Sequence, residues 1–400
     1  MLSRFHVLDQ LLTDYQLLWR FEPFHHSRQA EPAWQTQYPQ LSEWLGQLSP
    51  ADVEYYKSSP QALQAKVTQC LPELHVLTEA VALEPADVST LSLDRGIDSG
   101  IPGRKLTQIL AMGQAALKAH SGSEWLEWCA GKGFLGRILA SQSRQNVTSF
   151  EFQTCLCESG QRDADKRALP MQFVQGDAFG VESDDVFNAR QHAVALHACG
   201  DLHVALMHKS VRFGLPAITL SPCCYHLIEG ESYRPLSSLG QNSSLALTRQ
   251  ELRIPLQETV TGGERVRRHR FQEMVYRLGF DLLLRSELSL QQYLPIPSIR
   301  KSMLADGFEV FCRWAAEQKQ MILPDCDWAY YHEQAERRFW HMERLSLIQD
   351  IFRRPLEMWL VMDKASYLSE QGYRVNISEF CRRDITPRNI LIHAERGFGQ

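Results

Sequence analysis

An α/β fold built on a mostly parallel sheet is predicted for this 400-residue chain by three observations. Short apolar runs recur at 125–129, 147–151, 171–179, 192–197 and 216–222. Helix-like stretches lie between them, and the first run ends in a glycine turn that opens a helix. Strands that alternate with helices run parallel, because each return to the sheet needs a crossover.

The first run, Trp125 to Cys129, suits a buried strand. Gly131 and Gly133 then allow a tight turn with no β-carbon in the way, and residues 134–140 begin a helix. The second run closes on Glu151, twenty positions after Gly131. A carboxylate there can accept hydrogen bonds from both hydroxyls of a ribose, the spacing of a dinucleotide or S-adenosylmethionine fold. Glu127, before the glycines, favours the second cofactor. A nicotinamide pyrophosphate wants the helix N-terminus free of negative charge, whereas a sulfonium ligand with a free amino group is cationic and welcomes a carboxylate. The third run leads to Asp177, Ala178 and Phe179, where adenine would be held. The alternative is an ordinary strand, turn and helix whose glycines serve only the turn.

The segments Glu127-Trp-Cys-Ala-Gly-Lys-Gly-Phe-Leu-Gly-Arg137, Ala195-Leu-His-Ala-Cys-Gly-Asp-Leu202 and Ser221-Pro-Cys-Cys-Tyr-His226 together resemble one methyltransferase-domain family. It groups the eukaryotic tRNA acceptor-stem 2′-O-methyltransferases with methyltransferase-like proteins and the glutathione S-transferase C-terminal domain-containing protein. The likeness covers roughly the second quarter of the chain, with a further echo at the C-terminus. It implies a Rossmann-like class I S-adenosylmethionine methyltransferase sheet and S-adenosyl-L-methionine as cofactor. It also implies that Glu127 and the turn residues Ala130, Gly131, Gly133, Phe134 and Gly136 meet the methionine end. Glu151 would meet the ribose, Asp177 with Ala178 and Phe179 the adenine, and His197 would border the same site. The tRNA enzymes of that family carry N-terminal zinc modules with Cys and His ligands; residues 1–103 offer no such set.

Chemistry is expected beyond the carboxyl ends of the fourth and fifth strands, where open α/β sheets bind ligands. Methyl transfer is an in-line displacement at an activated sulfonium, so alignment supplies most of the catalysis, and a hydroxyl acceptor also needs a base. Asp201 and His226 are the candidate bases, with Tyr225 orienting the acceptor. Asp201 could instead cap the following helix, and Cys223 and Cys224 could be packing residues. Cysteine attack on a pyrimidine is a minor alternative. No metal is expected, since adjacent cysteines rarely chelate one ion and no paired Cys-x-x-Cys spacing occurs. His203 and His208 are expected at the surface.

The apolar pattern divides the chain into a helical N-terminal module at 1–103 and a first part of the methyltransferase core at 104–226. A mostly helical insertion at 227–354 then precedes the final helix and strands of the core at 355–400. Residues 104–108 are expected beside the cofactor mouth by fold analogy. Pro355 suits a first helical turn and Gly372 a helix end, and residues 373–377 and 389–394 read as a closing strand pair. The alternative closes the sheet nearer 280–284.

An apolar content of 44% allows a large core. The amphipathic start of the chain, interrupted by Arg4, Asp9, Asp14 and Arg20, reads as neither signal peptide nor membrane span. Ten scattered cysteines suit a reducing, cytoplasmic setting rather than a disulfide framework. The net charge of −5 opposes a strong general grip on phosphate, and residues 1–120 alone hold 9 basic against 13 acidic side chains. Residues 227–354 hold 18 basic and 17 acidic side chains, with four arginines crowded into 265–270, as a solvated face or a phosphate track. RNA, with tRNA as its nearest form, is the leading methyl acceptor by resemblance. A protein or small molecule is the rival, and a non-catalytic S-adenosylmethionine-binding scaffold the reading from another class. The helical N-terminal module is a candidate protein-docking element.

Overall fold

The computed structural model describes residues 2–85, 91–257 and 263–397. Its centre is a seven-stranded sheet in the order β3-β2-β1-β4-β5-β7-β6. The strands are β1 (Glu124–Trp128), β2 (Val147–Glu151), β3 (Met171–Gln175), β4 (Gln191–Ala195), β5 (Ala217–Leu220), β6 (Tyr373–Glu379) and β7 (Ile390–Arg396). The first five run parallel, while β7 is antiparallel to both β5 and β6. The Rossmann-like α/β fold expected from the sequence is therefore present. The order reverses between β1 and β4, so a crevice opens above their carboxyl ends.

Residues Trp125 to Trp128 and all of β4 are buried, as sheet covered on both faces requires. On one face, Ile109, Met112 and Ala116 of the helix Gly103–Lys118 share a core with Leu135, Ile138, Trp125 and Val194. Each such Ile, Leu, Val or Met side chain withdrawn from water contributes on the order of 1.5–3 kcal/mol. The helices Phe134–Ser143, Thr154–Lys166 and Asp201–Arg212 make the crossovers after β1, β2 and β4. Only a short 3₁₀ turn, Val181–Val186, precedes β4.

The chain divides into two compact units. The first comprises Met1–Asp14, Val76–Gln257 and Arg353–Gln400, and the second Tyr15–His75 and Glu258–Phe352. These boundaries differ from 1–103, 104–226, 227–354 and 355–400. Within the first unit, Phe5 packs on Trp359 at 5.4 Å and the Trp359 indole donates to Asp9 at 2.8 Å, so the first helix, Leu2–Asp14, belongs with the sheet. Arg137 donates to the carbonyls of Ile97 and Ser99 and pairs with Asp163 at 2.7 Å, which ties the segment before residue 104 to the same unit.

Within the second unit, buried Arg338 pairs with Asp281 at 2.7 Å and also donates to Ser27 and to the Phe24 carbonyl. Gln349 donates to the carbonyls of Trp19 and Phe21. N-terminal residues thus share one body with the helices Glu264–Leu288 and Phe308–Gln318, a pairing distant in sequence and invisible to local periodicity. Residues 280–284 lie inside the first of those helices, so the sheet does not close there.

Pro355 does not start a helix. It lies inside Trp328–Glu370, a helix of 43 residues. The missing amide costs one helical hydrogen bond, but buried Ile348, Phe352, Leu356, Trp359 and Leu360 carry the apolar pattern through the proline. Among the described residues, no helix is long and apolar enough to cross a membrane.

Candidate functional site

Beyond β1 the backbone turns through left-handed conformations at Cys129 (φ 56°), Gly131 (φ 60°) and Gly133 (φ 68°). Ala130 N donates to the Phe150 carbonyl at 2.9 Å and Gly133 N to the Ala130 carbonyl at 2.9 Å, so the turn is sewn to the end of β2. Gly131 faces open space, with nothing within 4 Å of where a β-carbon would stand. That bare backbone is the cradle a cofactor can approach. Gly133 serves packing as well: a β-carbon there would meet the Phe173 ring at 2.3 Å.

Glu151 sits at the mouth of this turn. Its Oε2 accepts from Gly131 N at 2.8 Å and its Oε1 from Gln153 N at 3.0 Å. Each oxygen is left with a free lone pair, which fits a carboxylate shared between the turn and a ribose diol. Glu127 is placed differently. It is buried beneath the helix Phe134–Ser143, where its carboxylate accepts from Ser149 Oγ at 2.8 Å and from the amides of Gly136 and Leu135. It therefore braces the helix N-terminus from below.

Burial pushes the Glu127 carboxyl up from 4.5 to about 7, against those hydrogen bonds. The folded chain thus holds this proton over a window in which the unfolded chain has released it. Stability from this group is full below pH ~4.5 and is lost as pH rises through ~7, by about 3 kcal/mol at 1.4 kcal/mol per unit. Glu127→Gln is expected to flatten that part of the pH profile in urea unfolding between pH ~4.5 and ~7.5; an unchanged slope would remove Glu127 as its source.

Gly136 is packed so closely that a β-carbon would stand 2.5 Å from Glu127 Oε2. Phe134 carries Lys105 Nζ over its ring at 5.1 Å, which brings residue 105 to the glycine turn. At the end of β3, Asp177 is exposed and accepts from Phe179 N at 3.0 Å, while Ala178 is buried. Phe179 is 62% exposed, and Phe152, directly after Glu151, is 65% exposed. Two exposed phenyl rings thus stand at the ends of the adjacent strands β2 and β3. Phe152 was missed in the sequence, although an aromatic placed just after the β2 acid was its signal.

The ends of β4 and β5 place the other candidates. His197 is exposed at the end of β4. Asp201 begins the helix Asp201–Arg212 but does not cap it; its Oδ2 accepts from Glu229 N at 2.8 Å and so fixes the loop after β5. Tyr225 corrects the expectation of an acceptor-orienting phenol. It is buried, its hydroxyl lies within donating reach of Pro222 O at 3.3 Å and Glu357 Oε1 at 3.4 Å, and Glu357 is held by Arg354 at 2.8 Å. Burial, and Glu357 beside it, hold that phenol well above the usual tyrosine range, so it stays protonated. His226 is half-buried, and its Nδ1 has no hydrogen-bond partner. His203 is likewise not at the surface: it is 1% exposed, with Nδ1 at 3.0 Å from the Ala198 carbonyl. His208 is exposed.

A buried lysine that sequence reading missed lies under the same loops. Lys364 Nζ donates to Tyr233 Oη at 2.9 Å and stands over the Tyr233 ring at 4.8 Å and the Tyr225 ring at 5.4 Å. Burial lowers its ammonium from 10.5 to about 8, against the attraction of Asp363 and Asp201.

Residues 104–231 match a family model described as a methyltransferase domain. No curated protein matches the chain. Similar solved structures include the Pyrococcus abyssi tRNA (uracil-54, C5)-methyltransferase in complex with S-adenosyl-L-homocysteine, at 19% identity over 30% of this chain and 29% of that one (TM-score 0.26). Aeropyrum pernix fibrillarin with natively bound S-adenosyl-L-methionine is similar at 17% identity over 29% of this chain and 52% of that one (TM-score 0.25). A Geobacter metallireducens precorrin-6y C5,15-methyltransferase is similar at 11% identity over 32% and 66% respectively (TM-score 0.25). The chain spans less than a third of the first of these and about half of the second. Residues 104–231 are thus similar to a methyltransferase domain, within the Rossmann-like sheet described above.

Proposed function

We propose that the chain transfers the methyl group of S-adenosylmethionine to a hydroxyl of RNA, with tRNA the first substrate to test. Three exposed arginines carry this reading. Arg265, Arg267 and Arg268 lie in the first turns of the helix Glu264–Leu288. Cations at that end oppose the helix dipole, so the placement costs stability unless an anion meets it. The likeness of the 127–137, 195–202 and 221–226 segments to the tRNA 2′-O-methyltransferase grouping supports the same acceptor, and ten free cysteines suit a cytoplasmic setting.

In this reading the glycine turn and Phe134 hold the methionine end, Glu151 the ribose, and Asp177, Ala178, Phe179 and Phe152 the adenine, with His197 at the border. The acceptor oxygen attacks the methyl carbon in line, the carbon–sulfur bond breaks, and S-adenosylhomocysteine leaves. The hydroxyl proton passes to His226, whose neutral imidazole has an unpartnered nitrogen, with Asp201 fixing the adjoining loop. A non-catalytic scaffold is the second reading, favoured by the inward turn of Tyr225 and the engagement of Asp201 by Glu229. The N-terminal helices are the proposed surface for a protein partner.

Tritiated methyl donor with total cellular tRNA and a protein fraction separates these readings. A 2′-O-methyl blocks alkaline cleavage, so label in alkali-resistant dinucleotides is the expected result. Label confined to protein would move the acceptor to protein, and tight cofactor binding with no transfer would favour the scaffold. Arg267→Glu with Arg268→Glu is expected to weaken tRNA binding about tenfold or more and to lower its salt slope by roughly 1–2. Unchanged binding and slope would remove this helix from the acceptor surface.

A further inference from the structure

The thiols at the ends of β4 and β5 form a group that methyl transfer does not use. Beyond the sheet, Cys199 and Cys223 continue the β4–β5 pairing as an isolated parallel bridge, and Gly200 N donates to the Cys223 carbonyl at 3.0 Å. Their sulfurs stand 3.5 Å apart. Cys224 would point to the opposite side of an extended strand. Instead its backbone turns left-handed, at φ 49°. All three sulfurs consequently lie within 4.8 Å of one another. No metal was expected because adjacent cysteines rarely chelate one ion and no paired Cys-x-x-Cys spacing occurs, but here the turn at Cys224 brings the sulfurs together.

We propose that Cys199, Cys223 and Cys224 bind one Zn²⁺ ion that clasps the loop after β4 to the loop after β5. Tetrahedral zinc with sulfur ligands near 2.3 Å puts neighbouring sulfurs roughly 3.8 Å apart, close to the spacing present. Thiolate softness selects zinc over the oxygen-seeking magnesium and calcium. The surroundings suit a negatively charged centre: Arg388 exerts its charge on both Cys199 and Cys224. Binding takes the sulfurs as thiolates and releases their protons to solvent. The fourth position is left for water, as in three-ligand zinc sites. The site goes beyond the methyl-transfer reading and stands whether or not RNA is the acceptor.

The test is elemental analysis of the purified, reduced full-length chain after dialysis against metal-free buffer, followed by Co²⁺ substitution. The expected result is about one zinc per chain, a thiolate-to-cobalt charge-transfer band, and zinc below roughly a tenth of that in Cys199→Ser/Cys223→Ser/Cys224→Ser. Cys155→Ser, an exposed cysteine outside the cluster, should leave zinc unchanged. Where the triple variant fails to fold, zinc-dependent protection of these three thiols from alkylation in the unaltered chain, mapped by mass spectrometry, supplies the same answer. The proposal is overturned by a zinc-free chain that takes up none on adding Zn²⁺ under reduction, by stoichiometric copper in place of zinc, or by alkylation of the three thiols at equal rates with and without zinc.

Discussion

Replacing Glu151 by alanine is expected to weaken S-adenosylhomocysteine binding by roughly 100-fold, about 3 kcal/mol, while the chain stays folded. The carboxylate closes β2 and already accepts from the amides of Gly131 and Gln153. Its remaining lone pairs are the proposed acceptors for the two ribose hydroxyls, each a charge-assisted bond worth about 1.5–3 kcal/mol. The loss to stability is smaller, on the order of 1–2 kcal/mol, because water can reach the amides that are released. Glu151→Gln offers no rescue: both carboxylate oxygens face backbone donors, so an amide nitrogen would meet one of them.

A ligand comparison separates recognition from mere bracing. The unaltered protein should discriminate against a 2′-deoxy analogue of S-adenosylhomocysteine, and Glu151→Ala should lose that discrimination. Calorimetry showing full affinity in the variant, or discrimination that survives it, would dismiss Glu151 as the ribose ligand.

The parallel part of the sheet was legible because its strands carry short apolar runs bounded by turn residues, whereas β6 (Tyr373–Glu379) alternates apolar and polar residues. The run 147–151 coincides with β2, and Gly131 and Gly133 announced the turn after β1. Features that depend on distant pairings were not legible. Arg338 meets Ser27 and Asp281, and no local period reports a contact across 311 residues. A proline at 355 signals a helix start in most contexts, yet burial on both sides of it held one helix together. Tyr225 looked like an accessible phenol because sequence gives no side-chain direction, and its partner Glu357 lies 132 residues away. The convergence of three sulfurs hinged on the sign of one backbone angle, at Cys224.

Gly200→Ala is expected to be among the most damaging single substitutions in the first unit, costing about 3–5 kcal/mol of stability. Gly200 holds φ 57° and ψ −129°, a conformation that side-chain-bearing residues rarely adopt. A β-carbon there would stand 2.0 Å from the Leu227 carbonyl oxygen and 2.7 Å from its carbon. Those are backbone atoms, so no rotamer change relieves the clash. The loop after β5 would have to move away, and it could do so only by breaking the bonds from Gly200 N to Cys223 O and from Asp201 N to Leu227 O. Gly131→Ala is the control. Its φ of 60° is also positive, but nothing lies within 4 Å, so backbone strain alone, about 1–2 kcal/mol, should appear in urea unfolding. Gly131→Ala should therefore keep the fold and lose the cofactor, whereas Gly200→Ala should lose the register between the loops that bring Cys199 to Cys223. Equal stabilities for the two variants would mean that the loop after β5 yields at little cost, and that the sulfur cluster is not held by the backbone around it.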